Sequence, residues 1–202
     1  QGALENLYRI EGAADVADFR IDRQALGMAL GASADACRET LLVQQDAEET
    51  LIGLFLCDDV EAVAARFARW PHDEGLDAFC VAVEGVSHFV YFTYCGARQD
   101  RAVSRVELEL QAEIDKFLVL RAVLGLSGSA LRSRLYDDFV WGEGLSRAER
   151  ARYRFANRHG RRYARWLDRE FSAGRGSLAL ADARVLYRRP LEDKLSFIAR
   201  PH

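Results

Sequence analysis

Arginine recurs at steps of three and four residues between positions 147 and 169, and this spacing limits the possible folds more than any other feature of the sequence. At about 100° per residue, such steps place side chains on one narrow face of an α-helix over roughly 33 Å. An adjoining, mostly apolar stripe from Ala148 to Trp166 can pack on a core. The pattern therefore predicts a long surface helix. Its seven arginines, hereafter the arginine ladder, are Arg147, Arg150, Arg154, Arg158, Arg161, Arg165 and Arg169.

Two further signals lie in this predicted helix. Ser146, followed three residues later by Glu149, matches a capping box and predicts the start of the helix, which continues to about Ser172. Gly160 lies in mid-helix, where glycine costs about 1 kcal/mol relative to alanine, so it indicates either tight packing or the close approach of a ligand. Tight packing is the favoured interpretation. His159 joins the arginine ladder as a candidate anion-binding residue.

The first half of the sequence predicts a hairpin followed by a helix. Glu39–Gln45 and Thr50–Cys57 are rich in leucine and β-branched residues and flank a polar stretch, which is typical of an antiparallel hairpin. Asp58, with Glu61 three residues later, then predicts an N-cap and a helix that ends before Pro71.

Residues 77–95 fit two interpretations. Two strands can lie on either side of a turn at Glu84 and Gly85, or a helix can run to His88 and be followed by one strand. The aromatic and β-branched residues at positions 89–94 favour a strand there in both cases.

The rest of the chain is predicted to be mainly helical. A capping box at Ser104 and Glu107, with an apolar stripe that continues to Leu124, predicts a long helix. The fold class is therefore predicted to be α+β. A small antiparallel sheet covered by helices forms residues 1–124, and a mainly helical, arginine-rich part, residues 125–202, docks on it to give one structural unit.

The charge is divided between these two parts. Residues 1–118 contain 22 acidic and 10 basic residues, a net charge of −12, whereas residues 119–202 contain 9 acidic and 18 basic residues, a net charge of +9. Opposite charges predict that the two parts attract each other or face different partners. The sequence pI of 5.9 argues against a dedicated nucleic-acid-binding protein.

Composition also predicts the compartment. The apolar runs are far shorter than the roughly 20 residues of a membrane span, and the first residues lack a secretory signal. Only two of the 28 basic residues are lysines, which is typical of GC-rich bacterial genomes. The four cysteines are widely spaced and mostly in apolar runs, so buried, reduced thiols in a cytoplasmic protein outside the membrane are expected. They are Cys37, Cys57, Cys80 and Cys95.

A second candidate site combines a histidine with carboxylates. If residues 77–88 are helical, Glu84 and His88 share a face and form a candidate catalytic pair. With Glu109 and Glu113 of the next predicted helix they are candidate ligands for a divalent metal. The spacing matches no established metal motif, so a hydrogen-bonded core histidine is the favoured interpretation.

The sequence contains no P-loop, dinucleotide fingerprint or nucleophile elbow and identifies no cofactor. We therefore consider three classes of function. The favoured class is a binding or regulatory protein whose arginine ladder contacts an acidic protein or a phosphate-containing ligand. The second is an enzyme or small-ligand protein, metal-dependent or not, with a pocket between the two parts. Nucleic-acid binding is third. The simplest interpretation of the ladder itself is structural: it solvates a surface helix or pairs with the protein's own Glu107, Glu109, Glu113 and Asp115.

Overall fold

The computed structural model of the protein describes residues 1–46, 49–71, 73–126, 128–138 and 145–200. Over these ranges the protein is α+β and mostly helical, with nine α-helices and one two-stranded antiparallel sheet, so the predicted fold class is confirmed. The strands are β1 (Glu39–Gln45) and β2 (Thr50–Leu56). The helices are α1 (Gly2–Tyr8), α2 (Arg23–Leu30), α3 (Asp58–Arg69), α4 (Leu76–Gln99), α5 (Arg105–Leu118), α6 (Gly128–Tyr136), α7 (Arg147–Ser172), α8 (Gly176–Tyr187) and α9 (Leu191–Ala199).

The hairpin forms as predicted. Glu39 lies opposite Leu56 and Gln45 lies opposite Thr50, with the strands in continuous antiparallel register between them. Leu54 and the following residue of β2 are buried, and both strands contact α4. The start of β1 therefore lies beside the central helix of the protein.

Helix α3 forms as predicted, but its predicted N-cap is wrong. Cys57 occupies the N-cap position and makes no side-chain capping hydrogen bond, whereas Asp58 is the first helical residue. The first turn contains Asp58, Asp59 and Glu61. Negative charge is favourable there because it is attracted by the partial positive charge at the N-terminal end of the helix dipole. The helix ends at Arg69, two residues before the proline that was expected to stop it.

Helix α4 replaces the strand predicted at residues 89–94, and that prediction is wrong. Residues 77–88 and 89–94 belong to one helix of 24 residues. Phe89, Val90 and Tyr91 are consecutive and all buried, because α3, α5 and the hairpin pack against different sides of α4. A helix covered on several sides lacks the polar face that makes helical periodicity visible in a sequence.

By length and composition alone, α4 can cross a membrane. Half of its most apolar stretch is buried inside the protein, however, and a buried core helix passes the same test. Its apolar surface is thus already used in packing, and the helix is weak evidence for a membrane span.

Helix α5 begins where the sequence predicts. Ser104 is the N-cap, and its hydroxyl accepts a hydrogen bond of 3.2 Å from the backbone N–H of Glu107. The Glu107 side chain does not complete the capping box, since it bonds to Arg101 instead. Beyond Leu118 the helix continues as a π-helical turn, Val119–Val123, so the predicted extent to about residue 124 is confirmed with a change of helix type.

The cysteines are free thiols, but most are less buried than predicted. Only Cys95 is fully buried. Cys37 and Cys57 are half-buried because they flank the hairpin, one before β1 and one after β2, and Cys80 lies on a half-exposed side of α4.

One hydrophobic core runs from α1 to α9 and joins the two parts of the chain. The ring of Tyr8 stacks on Tyr187 with centroids 3.9 Å apart. Arg184 donates a hydrogen bond of 2.8 Å to the carbonyl of Leu7, and Arg188 donates one of 3.1 Å to the carbonyl of Tyr8. The first helix is therefore held by α8, near the other end of the described chain.

Helix α7 packs along α5 at very short range. It starts with the predicted capping box of Ser146 and Glu149. At Gly160, a Cβ atom would lie only 2.8 Å from the Cβ of Glu113 on α5, closer than real Cβ atoms approach. Tight packing at Gly160, the favoured interpretation of the sequence, is confirmed.

Gly160→Ala should therefore destabilise the protein by about 1 to 3 kcal/mol, because overpacking between α5 and α7 outweighs the gain in helix propensity. Gly96→Ala is the matched control. Gly96 also lies in a helix, but a methyl group there meets no atom within 4 Å, so this change should raise stability by up to about 1 kcal/mol. Urea unfolding measures both changes, and equal shifts in the two variants would contradict the close contact.

Candidate functional site

Charged side chains gather where the hairpin and α7 meet α4 and α5. Of the seven residues involved, His88 and Glu109 are buried and the other five are partly buried, which is rare for ionisable groups unless they are paired or functional. The group contains all four candidate metal ligands of the sequence and adds three residues that the sequence did not indicate. Its members, hereafter the buried ion cluster, are Glu39, Glu84, His88, Glu109, Glu113, Lys116 and Arg152.

His88 lies at the centre of the buried ion cluster and is 8% exposed. Its Nδ1 is 3.5 Å from Oε1 of Glu39, and its Nε2 is 3.6 Å from Oε2 of Glu109. Both His88 Nε2 and Glu39 Oε1 are buried without a hydrogen bond. The imidazole is thus held between two carboxylates with one ring nitrogen unsatisfied.

Three of the four carboxylates in the buried ion cluster, those of Glu84, Glu109 and Glu113, are bound by permanent cations. Lys116 Nζ lies 2.9 Å from Glu84 Oε2 and 2.9 Å from Glu113 Oε1. Arg152 of α7 lies 3.2 Å from Glu109 Oε1, which leaves Oε2 of Glu109 facing the imidazole. Three residues, Glu84, His88 and Glu109, each offer one ligand atom, and these three atoms lie within 4.8 Å of one another. This is close enough to bind a single metal ion.

The electrostatic field at His88 favours positive charge. Burial alone lowers the pKa of the imidazole, but Glu109 and Glu39 together outweigh burial and raise it well above its usual value. Burial raises the pKa of Glu39 and also that of Glu113, in the latter case against the attraction of Lys116. A position that attracts a proton so strongly attracts a metal cation for the same reason.

Two helix glycines make room for the buried ion cluster. At Gly85 of α4, a Cβ atom would lie 2.7 Å from Cγ of Glu39, so the absent side chain lets Glu39 reach His88. At Gly160 of α7, the absent side chain makes room for Glu113 of α5. Each glycine costs a helix about 1 kcal/mol relative to alanine. Helix stability is therefore given up at the two positions that border the cluster.

The buried ion cluster opens to solvent through a cleft of about 480 Å³ between α4, α5 and α6. Glu84, Glu113 and Lys116 form part of its wall, and the Glu84 side chain is 23% exposed. Cys80 also lines the cleft, but burial raises its pKa to about 12, so it is a neutral thiol at physiological pH. Glu84 therefore belongs both to the cluster and to the wall of the cleft.

A second buried network lies on the opposite side of α5. Asp115 accepts hydrogen bonds from the Ser87 hydroxyl at 2.6 Å, from the Gln111 amide at 2.7 Å and from the Tyr8 hydroxyl. Lys194 of α9 is fully buried and donates to Oε1 of Gln111. These bonds join α1, α4 and α9 to α5, so the network has a clear structural role.

Lys194 gives this network a pH dependence. Burial outweighs the attraction of Glu107 and Asp115 and lowers the pKa of Lys194 to about 7. Between about pH 7 and the ordinary lysine pKa of about 10.4, the unfolded chain binds a proton that the folded protein lacks. The free energy of unfolding should therefore rise with pH across this window, by up to about 1.4 kcal/mol per pH unit.

Urea unfolding between pH 7 and pH 10 tests this dependence. In Lys194→Met, the free energy of unfolding should rise less steeply with pH than in the parent protein. The contribution of the lysine is absent there, whereas that of the remaining titratable groups is retained. Parallel curves for parent and variant would show that Lys194 keeps an ordinary pKa.

The arginine ladder lies apart from both buried networks. Six of its seven arginines are exposed, and Arg161 alone, among the described residues, forms an ion pair, with Asp137. Of the two structural interpretations, pairing of the ladder with the acidic half is wrong among the described residues, whereas a solvated surface helix agrees with the exposed arginines. Glu107 pairs with Arg101, and Asp115 with the neutral donors of the second network. Glu109 and Glu113 belong to the buried ion cluster, where the α7 residue that reaches them is Arg152.

His159 borders the arginine ladder without joining the buried ion cluster. Its ring packs on Phe155 with centroids 4.5 Å apart, and its Nε2 lies 3.2 Å from an Arg158 nitrogen. Burial, followed by the charges of Arg158 and Arg162, lowers its pKa. The imidazole is therefore neutral at physiological pH and adds no charge to the ladder.

One signal in the sequence marked the interior sites but was attributed to base composition. The chain has only two lysines among 28 basic residues, and both lie in the interior networks, Lys116 in the buried ion cluster and Lys194 in the second network. The ammonium group of Lys116 is a compact charge that bonds two carboxylates at once, those of Glu84 and Glu113. No comparable signal indicated Glu39, which reaches the site from β1.

Comparison of the chain with protein-family models, with curated proteins and with solved structures gives no match. Function is therefore inferred from the chemistry of the side chains alone.

Proposed function

We propose that the protein binds a divalent metal ion at Glu84, His88 and Glu109, and that the metal serves a small ligand which enters through the adjacent cleft. The observation that carries this proposal is the unsatisfied Nε2 of His88, buried and directed at Oε2 of Glu109 from 3.6 Å. A buried polar atom without a partner is unfavourable, and a metal ion satisfies it.

The separation of the ligand atoms fits this assignment. Metal–ligand bonds from imidazole and carboxylate are about 2.0–2.2 Å long, so two adjacent ligand atoms on one ion lie roughly 3–3.5 Å apart. The distance between His88 and Glu109 is close to this value, and the Glu84 oxygen lies within 4.8 Å of both. A small rotation of the Glu84 side chain, which is partly exposed, completes the set.

Glu39, which lies on the Nδ1 side of His88, also supports the assignment of His88 as a metal ligand. Imidazole ligands in metal sites commonly donate their second N–H to a carboxylate, which fixes the ring and makes it a better ligand. Glu39 Oε1, 3.5 Å from Nδ1, occupies this position, and Gly85 provides the space for it.

The charge of the buried ion cluster also favours a divalent cation. With His88 neutral, as a ligand must be, four carboxylates and two permanent cations give a net charge of −2. One divalent ion balances this charge without protonating a buried carboxylate. Two oxygen ligands and one nitrogen suit Mn²⁺, Fe²⁺ or Zn²⁺ better than a thiolate-seeking ion.

Three protein ligands leave coordination positions for water or substrate, which is typical of catalytic rather than structural metal sites. Glu84 belongs both to the ligand set and to the wall of the cleft, so a ligand in the cleft has access to the ion. The proposed class is a metal-dependent small-ligand protein.

Metal addition to chelator-treated protein tests the site. At a free metal concentration about 100 times Kd, binding contributes about 2.7 kcal/mol, so Tm should rise by roughly 5 to 10 °C with Mn²⁺ or Zn²⁺. His88→Gln and Glu84→Gln should abolish the rise. His159→Gln and Glu192→Gln are the matched controls, because they make the same chemical changes away from the buried ion cluster. A parent protein that shows no rise with any first-row divalent metal rules the site out.

Water-proton relaxation tests the open coordination positions. Bound Mn²⁺ with exchangeable water should enhance the relaxation rate several-fold over free Mn²⁺, and Glu192→Gln should leave the enhancement unchanged. Mn²⁺ that binds without any enhancement would indicate a closed, structural site and would contradict the small-ligand part of the proposal.

A further inference from the structure

The arginine ladder is an interaction surface that the metal centre does not use, and its residues share no contact with the proposed ligands. Arg147, Arg150 and Arg154 are exposed, as are Arg158, Arg165 and Arg169. In the described part of the chain, Arg161 is the one ladder residue with an ion pair. The carboxylates of α5 nearest to α7 are already occupied by Arg152 and Lys116. Among the described residues, the protein's own acidic side chains therefore leave six of the seven arginines of the ladder without an ion pair.

This lack of neutralisation is unfavourable for the isolated protein. Like charges at i,i+4 on a helix repel each other by a few tenths of a kcal/mol per pair. The ladder repeats this repulsion from Arg147 to Arg169, so an external anionic partner would remove it. The spacing of the charges indicates the shape of that partner.

Successive arginines of the ladder are three or four residues apart, which is about 4.5 to 6 Å along the helix axis. The whole ladder is roughly 33 Å long. A second α-helix with acidic side chains at the same intervals has the same rise and stays in register over this length. We infer that the arginine ladder binds the acidic face of an α-helix in a partner protein.

An indentation in the ladder adds an apolar contact to the charges. It has a volume of about 390 Å³ and lies between Leu145, Arg147, Arg150, Ala151 and Arg154. Its lining combines two apolar side chains, Leu145 and Ala151, with three arginines of the ladder. Binding energy in protein interfaces is concentrated in such sites, where one apolar side chain is surrounded by polar contacts, whereas exposed ion pairs contribute little.

Charge distinguishes a protein helix from nucleic acid as the partner. The chain has a net charge of −3, and residues 1–118 alone have −12, which opposes a long polyphosphate. A single acidic helix is shorter and has fewer charges than a long polyphosphate, so it is repelled less by the acidic half. Duplex DNA also presents phosphates on a curved surface, so a straight row of arginines contacts only part of it.

Two synthetic helical peptides of identical composition test the inference with the full-length chain. The first has seven glutamates at the intervals of the ladder and one leucine beside them; the second has the same residues distributed around the helix. The patterned peptide should bind at least tenfold more tightly at 150 mM salt. Equal affinity, or no binding of either peptide, contradicts the inference, and so does tighter binding of a 20-base-pair DNA duplex than of the patterned peptide.

Matched arginine variants locate the binding surface. Arg154→Gln combined with Arg158→Gln should weaken binding of the patterned peptide about fivefold to tenfold. Arg66→Gln combined with Arg69→Gln, two exposed arginines of α3, makes the same change in charge and should have less than a twofold effect. Equal losses in both double variants would indicate only a diffuse charge effect and overturn the inference.

Stability measurements on the same proteins separate binding from folding. If the ladder serves an external partner, the Arg154 and Arg158 variant should melt at the parent Tm or slightly above it, because a repulsion is removed. A fall in Tm of more than about 5 °C would show that the ladder holds the fold together and would exclude the proposed use. Metal binding should be unchanged in this variant, so the two proposals can fail independently.

Discussion

Helix α5 buries four acidic side chains, Glu107, Glu109, Asp115 and most of Glu113, and an unpaired charge in such a place costs several kcal/mol. The surrounding elements are arranged so that each carboxylate has a partner. The segment after α4 provides Arg101 and α7 provides Arg152, while Lys116 comes from α5 itself. The tertiary arrangement is therefore governed as much by matching of charge as by apolar burial.

This constraint also explains why the two sides of α5 differ. On one side, Asp115 is surrounded by hydroxyl and amide donors that satisfy it, so the network is closed and structural. On the other side, His88 keeps an unsatisfied nitrogen beside a cleft. A completed network resists change, whereas an incomplete one has a place for a ligand. The same helix thus has a structural face and a face with functional potential.

Sequence reasoning was most successful where a pattern depends on neighbouring residues. The capping boxes at Ser104 and Ser146 and the hairpin at Glu39–Gln45 were predictable, because turns, caps and strand pairing are local. Residues 89–94 were wrongly predicted as a strand, since a helix buried on several sides shows no periodicity. Glu84, His88, Glu109 and Glu113 were identified as candidates, but Glu39 and Arg152 were not. Glu39 reaches His88 beside Gly85, and Arg152 reaches Glu109 from α7, which packs on α5 at Gly160; no local pattern encodes these tertiary contacts.

The stacking of Tyr8 on Tyr187 has a consequence for biosynthesis. Helix α1 leaves the ribosome before its packing partner α8, which is made some 180 residues later, as the bond between Arg188 and Tyr8 shows. At about 5 to 20 residues per second, the contact between α1 and α8 can form only roughly ten seconds or more after α1 has been made. Until then α1 can pack only on earlier elements such as the π-helical turn Val119–Val123, so the native environment of Tyr8 is completed late in synthesis.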